Sequence, residues 1–307
     1  MIHEIKTPSH DEWVVLRNKT IGGSDAGAIA GLSPYQSAYS LWAEKTGKVK
    51  PFEGNLKTEV GTYLEDFVAK LFEQETGKKV RRRNATVYND DYPWAHANVD
   101  RVIVGENAVL EIKTTFNLDY KKLLEKNEIP DAWYCQMMHY MAVCGYRKAY
   151  LAVLIDNSVF RWFEVLYDEN EASTLMELEK AFFKHMEDGT PPPVSGMDCD
   201  TDAIDEIYAE STEGAVDLWG RDNLLDEYFE LGERIDALTR QQEAIKQQIC
   251  AEMGDYDTGN AERYKVTWKT QQRQTFDHKK FAADNPHVNL SGYFKVSTSR
   301  PFKIKAL

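Results

Sequence analysis

Apolar positions along this chain switch between two periods, and the switches outline its elements. Val60, Leu64, Phe67, Val68, Leu71 and Phe72 recur at helical spacing and predict an amphipathic helix with one buried side. Glu65 falls beside that stripe, near the predicted helix start. Residues 97–104 and 108–114 alternate as strands on either side of Gly105-Glu106-Asn107, which predicts a β-hairpin. Pro130 precedes a helix whose buried side would carry Trp133, Met137, Tyr140, Met141 and Cys144. Two apolar strands, 149–154 and 159–165, come next, then a long amphipathic helix over 169–185. Nearer the start, Ile21-Gly22-Gly23-Ser24-Asp25 reads as a turn in which Ser24 or Asp25 caps a short helix reaching Gly31, with a second helix over 39–46.

Gly189-Thr190-Pro191-Pro192-Pro193 breaks the long helix and, with the acidic stretch 198–205, predicts a boundary: a core over 1–195 and an extension over 196–307. In the extension, Leu224, Tyr228, Leu231, Ile235, Leu238, Gln242, Ile245 and Ile249 alternate steps of four and three. That is a heptad seam, which either packs on its own domain or meets a partner. Residues 264–305 predict a few short strands and one helix started by Asp277. The expected class is α/β (α+β): a central mixed sheet flanked by helices, then a C-terminal heptad helix and a small α/β extension.

Composition narrows the function. At 307 residues with 42% hydrophobic positions, the chain can bury a sizeable core and a smaller second unit. No apolar run approaches membrane-spanning length, and Met1-Ile2-His3-Glu4 lacks the order of a signal peptide, so a cytoplasmic protein without a membrane partner is expected. Cys135, Cys144, Cys199 and Cys250 are scattered, which argues for free thiols and against a zinc or iron-sulfur site. The net charge is −13, yet residues 263–307 carry ten Lys or Arg against two acidic residues, a local +8 that leaves −21 elsewhere. An acidic surface with a basic appendage suits a protein that admits DNA only along chosen channels, although a plain solvated face would look the same. No G-x-x-x-x-G-K-[ST] loop offers an ATP site.

The hairpin carries the chemistry. Side chains two apart on a strand share a face, so Glu111 and Lys113 point together while Leu110 and Ile112 point into the core. Asp100 on the neighbouring strand can reach the same place. Two close carboxylates repel, and a divalent cation held by Asp100, Glu111 and the Ile112 carbonyl would relieve that repulsion while keeping positions for water and a phosphate oxygen. Magnesium suits such oxygen ligands, and so does manganese. Lys113 can orient the water or stabilise charge building on the phosphate. On the hairpin alone, an exposed ion pair is an equal reading. Arg81-Arg82-Arg83 could follow a DNA backbone or simply be solvated.

Five stretches in order widen the case: Arg17 with Ile21-Gly22-Gly23-Ser24-Asp25; Gly61-Thr62-Tyr63-Leu64-Glu65; Asn98-Val99-Asp100; Glu111-Ile112-Lys113; and Gln136 followed by Tyr140. Together they resemble the PD-(D/E)xK nuclease superfamily and, within it, the phage lambda exonuclease and YqaJ-type viral recombinase family, over about residues 10 to 195. The resemblance implies a restriction-endonuclease-like core, with Asp100 and Glu111 as metal ligands and Lys113 as the catalytic lysine. It gives Glu65 a supporting role at the metal, directly or through water, and places Gln136 at the site. It assigns Arg17 and Ser24 to a 5′-terminal phosphate, with Tyr140 on the DNA; as a helix cap Ser24 would also be explained. The implied activity is a metal-dependent, ATP-independent 5′-to-3′ exonuclease on double-stranded DNA ends. It would leave 3′ tails for a phage single-strand annealing recombinase, and the protein would form a ring trimer. The rivals are an endonuclease of restriction or resolvase type, sharing Asp100, Glu111 and Lys113, and an inactive DNA-end-binding module.

Overall fold

The computed structural model describes residues 1–6, 18–289, 291–295 and 300–304. They divide into two compact units, Met1–Ala209 and Glu210–Leu307.

The first unit is built on two sheets. One has four strands in the order β1 (Ile2–Lys6), β4 (Ala85–Asn89), β5 (Ala95–Ala97) and β2 (Ile21–Gly22). The other has five, ordered β3 (Val80–Arg81), β6 (Arg101–Ile103), β7 (Ala108–Thr115), β8 (Lys148–Ile155) and β9 (Val159–Leu166). β7 pairs antiparallel with β6 and parallel with β8, so the larger sheet is mixed. A parallel neighbour needs a crossover, and the chain supplies it through α4 (Leu118–Glu125) and α5 (Asp131–Cys144).

Both faces of β7 are covered. Leu110 and Ile112 look toward α3 (Leu56–Thr76) and join Val68 and Phe72 in one apolar cluster. Val109 looks the other way and joins Met137, Met138 and Met141 of α5. α5 is buried at every position from Cys135 to Cys144, more than the one apolar side that its sequence predicts, because α1 (Gly23–Ile29) closes over its outer surface. Two glycines permit that approach: a Cβ on Gly23 would lie 2.5 Å from the Tyr140 ring, and one on Gly27 would lie 2.8 Å from the Ala132 Cβ.

Several predicted bounds shift for local reasons. α3 starts at Leu56, where Asn55 accepts from the Lys57 and Thr58 N–H groups, so Glu65 lies in the middle of the helix instead of near its start. α1 is capped by Gly22, and Asp25 reaches back to the Gly22 N–H at 2.8 Å; Ser24 sits exposed in the first turn and does not cap. The strand expected over 97–104 is interrupted at 98–100, because β5 and β6 belong to different sheets and the chain must cross between them. Thr86 ties down the crossing by donating to Asn98 Oδ1 at 2.7 Å.

The long helix is α6 (Glu169–Asp188). Beyond the prolines, the acidic stretch forms α7 (Asp198–Ile207), docked on α2 (Ala38–Lys45). Asp200 is buried there, taking the Ser37 hydroxyl at the α2 N-cap and the Ser195 hydroxyl at 2.7 Å. The first unit therefore runs to Ala209, past the boundary expected at 195.

The second unit contains α8 (Asp222–Met253), a hairpin of β10 (Thr258–Asn260) and β11 (Lys265–Thr267), and α9 (His278–Asp284), which Asp277 caps through the Lys280 N–H at 2.9 Å. Met253 is the one buried residue of α8.

Candidate active site

β7 places Glu111 on the α5 side of the sheet, where it is only 3% exposed. Its Oε1 atom takes the Lys113 ammonium at 2.7 Å and the Gln136 side-chain amide at 2.8 Å. Gln136 also accepts from Lys113 Nζ through its Oε1 at 2.9 Å and donates to the Tyr140 hydroxyl at 2.9 Å. Lys113 and Gln136 thus hold each other and Glu111 in one ring of contacts. Glu111 Oε2 is buried with no hydrogen-bond partner. A buried carboxylate oxygen left bare costs free energy, so the arrangement is incomplete as it stands.

Asp100 closes the other side. It precedes β6 and is not part of a strand, and its Oδ2 accepts the Ile112 N–H at 2.9 Å. The β6 ladder on β7 ends at the pairing of Arg101 with Leu110, so the Asp100 side chain replaces the missing strand at Ile112. The N–H and C=O of one strand residue point toward the same neighbour, which puts the Ile112 carbonyl on the Asp100 edge as well.

The charges are out of balance. Burial, and then the neighbouring charge of Glu111, push the Asp100 carboxyl up to about 8 against the pull of Lys113. Burial works against the Lys113 ammonium, but the Glu111 and Asp100 charges outweigh it and hold it above its ordinary value. Burial and the same two carboxylates keep the Tyr140 phenol neutral.

These features fit a divalent cation. The donors are two carboxylates and a carbonyl, all oxygen, with one bare Glu111 oxygen and an Asp100 that burial and Glu111 discourage from ionising. Among the described residues, no three His, Cys, Asp or Glu side chains converge as a ready cage. A cation would therefore rest on Asp100, Glu111, the Ile112 carbonyl and water. Glu65 does not complete the set, because its Oε1 is held by Arg101.

Arg101 is the residue that sequence reasoning missed. It is 4% exposed and donates to Glu65, to the Asp100 carbonyl at 2.7 Å and to Asp66 at 2.6 Å. Its partners on α3 lie 35 and 36 positions away, so no local pattern announces them. The arginine run is mostly engaged: Arg82 pairs with Asp66 and Arg83 with Glu4, which leaves little of it for a DNA backbone. Ser24 is exposed in the first turn of α1, next to Gly23, whose backbone lies against the Tyr140 ring. Arg17 lies outside the described residues.

Comparison with known proteins follows the same outline. A model of the YqaJ-like viral recombinase domain matches residues 12–147. The Bacillus subtilis (strain 168) protein YqaJ, itself uncharacterised, is 37% identical over 301 residues, covering 96% of this chain and 93% of that one. Among solved structures, the alkaline exonuclease LHK-Exo of Laribacter hongkongensis superposes with a TM-score of 0.50 at 16% identity, over 58% of this chain and 93% of that one. The same enzyme in complex with dAMP gives 0.51 at 17% identity over the same shares. At that identity the likeness establishes a shared fold, while the long match at 37% identity establishes kinship: the chain belongs to the YqaJ-like viral recombinase family.

Proposed function

We propose that this protein is a divalent-cation-dependent, ATP-independent exonuclease that hydrolyses double-stranded DNA from 5′ ends and leaves 3′ single-stranded tails. The observation that carries the reading is Glu111: buried in a sheet, held by Lys113 and Gln136 on one oxygen and bare on the other, facing an Asp100 that burial, and then the charge of Glu111, push toward protonation. Asp100, Glu111 and the Ile112 carbonyl would hold the cation, magnesium or manganese, which supplies a polarised phosphodiester and a water of lowered pKa.

The protein's own groups then have distinct tasks. Lys113 keeps its ammonium at the mouth of the site, 24% exposed, where it can meet charge developing on the scissile phosphate. Gln136 fixes Lys113 and Glu111 in register, so neither must reorganise during reaction. Tyr140, neutral and accepting from Gln136, keeps its own O–H free to donate to a backbone oxygen. Arg101 holds Glu65 beside Asp100 and so places a third carboxylate next to the cation ligands. Ser24 and Arg17 are assigned to the 5′ phosphate. A fold relative solved with dAMP agrees with an enzyme that releases mononucleotides. The 3′ tail would pass to a single-strand annealing recombinase, and a ring trimer is the assembly that suits progressive digestion.

Linear duplexes labelled at the 5′ or the 3′ end, beside a covalently closed circle, test the proposal. The expected result is loss of 5′ nucleotides from linear DNA only, in magnesium and not in EDTA, and absent in Lys113→Ala. Cutting of the circle would instead assign an endonuclease. Binding of ends without cleavage in either metal would make the protein an end-binding module.

A further inference from the structure

Carboxylates gather on both sides of Asp100, and their cationic partners are shared unequally. Asp100 and Glu111 share Lys113, whereas Glu65 and Asp66 of α3 have Arg101 and Arg82. Phosphodiesterase sites that use two divalent cations hold them about 3.5–4 Å apart between clustered oxygen ligands. Glu65 offers Asp100 such a second carboxylate: after burial and Glu111, its charge also pushes the Asp100 carboxyl up.

A guanidinium already occupies that role. Arg101 opens β6 opposite Leu110 of β7, and cross-strand partners share a face, so its side chain passes to the α3 side of the sheet. There it is 5% exposed. Its Nη1 donates both to Glu65 Oε1 and to the Asp100 carbonyl, the latter at 2.7 Å, while Nη2 donates to Asp66 at 2.6 Å. One nitrogen thus ties Glu65 to residue 100, the link that a bridging cation would otherwise make. Arginine never gives up its proton, and its planar fork engages two carboxylates at once.

Counting charge leads to the same place. With Glu65, Asp66, Asp100 and Glu111 all ionised, Arg82, Arg101 and Lys113 leave a single negative charge on the group. One divalent cation turns that into a single positive charge. A second would leave three positive charges around largely buried side chains, where repulsion is weakly screened. Removing Arg101 both frees the Glu65 carboxylate and lowers that total.

We propose that the Arg101 guanidinium stands in for a second divalent cation, so that the active site binds one metal ion, at Asp100 and Glu111. The inference rests on the nuclease reading of this site, and counting bound ions separates the two. Mn2+ binding to the full-length protein, followed by calorimetry and electron paramagnetic resonance, gives the count; ions lost in Asp100→Asn are those of the active site. Wild type is expected to bind one, and so is Arg101→Lys, which keeps the charge. Arg101→Gln should bind two, with the spectrum of a coupled Mn2+ pair, and its first ion at least about 10-fold more tightly because a repelling charge has gone. Glu65→Gln in that background should return the count to one.

An arginine that merely braced α3 against β6 would behave in the opposite way. Folded Arg101→Gln would then bind a single ion more weakly, which overturns the proposal. A second ion in the wild type also overturns it and leaves the nuclease reading standing, whereas no Asp100-dependent ion in the wild type ends both. If circular dichroism shows Arg101→Gln unfolded, the wild-type count decides: one ion upholds the proposal and two overturn it.

Discussion

Two polar clusters meet α5 at neighbouring residues. Each leaves one buried carboxylate oxygen without a hydrogen-bond partner, Glu111 Oε2 and Glu179 Oε2, and they differ in charge balance and in access to the surface. On the sheet side, Gln136 and Tyr140 serve a group with two carboxylates, Asp100 and Glu111, against one ammonium, Lys113. On the other side, His139 is fully buried against an equally buried Glu179. His139 Nδ1 lies 2.8 Å from Glu179 and its Nε2 lies 2.9 Å from the His96 carbonyl. Burial works against a charge on that ring, but the Glu179 charge and its hydrogen bond outweigh burial and raise its pKa, the direction that favours an imidazolium matched by one carboxylate. The balanced pair is sealed and joins α5 to α6. The unbalanced group reaches the surface through Lys113 and has an acid poised near neutral pH. Balance marks a structural contact, and a surplus of negative charge marks a place for a cation.

This contrast can be broken at four points. Lys113→Ala removes the one ammonium of the unbalanced group, and nuclease turnover on linear duplex should fall by about 10³-fold while far-ultraviolet circular dichroism still reports a folded protein. Glu179→Ala strands the His139 charge in a sealed interior. It should cost about 3–5 kcal/mol in denaturant unfolding, with activity retained where the protein remains folded; a neutral outcome would end the structural assignment of this pair.

Asp100→Asn sharpens the comparison through pH. The folded-state pKa of Asp100 is raised, from 3.8 to about 8, so its contribution is present below pH about 4 and is lost as pH rises through about 8. In EDTA, the variant should be more stable than wild type at pH 9, on the order of 2 kcal/mol after discounting for the partly open site, and no different at pH 3. Added magnesium should raise the wild-type melting temperature at pH 8 and leave the variant unmoved. Gly23→Ala tests the same helix contact from the side of α1. Its Cβ would meet the Tyr140 ring at 2.5 Å, so α1 must shift, at about 1–3 kcal/mol in thermal melts and with weaker binding of DNA ends.

Much of this geometry is legible in the linear chain. The spacing of Asp100, Glu111 and Lys113 marks a candidate group, the family resemblance adds Gln136 and Tyr140, and β7 and α5 bring these residues together. The long helices and the strands β8 and β9 follow from their periods, because each has one dominant apolar pattern. Less visible were the crossing at Asn98 to Asp100, which reads as a continuous strand until two sheets claim its ends, and α7, whose acidic composition conceals a single buried Asp200.

The sequence by itself determined which residue types share a face: Glu111 with Lys113, Leu110 with Ile112, and the apolar seam of α8. Only the tertiary structure decided what each face meets. It buried Glu111 beneath α5, turned Asp100 onto the Ile112 N–H, and gave Glu65 to Arg101. The physical reason is that periodicity is a property of one element, whereas burial, charge imbalance and long-range pairing depend on which other element lies against it.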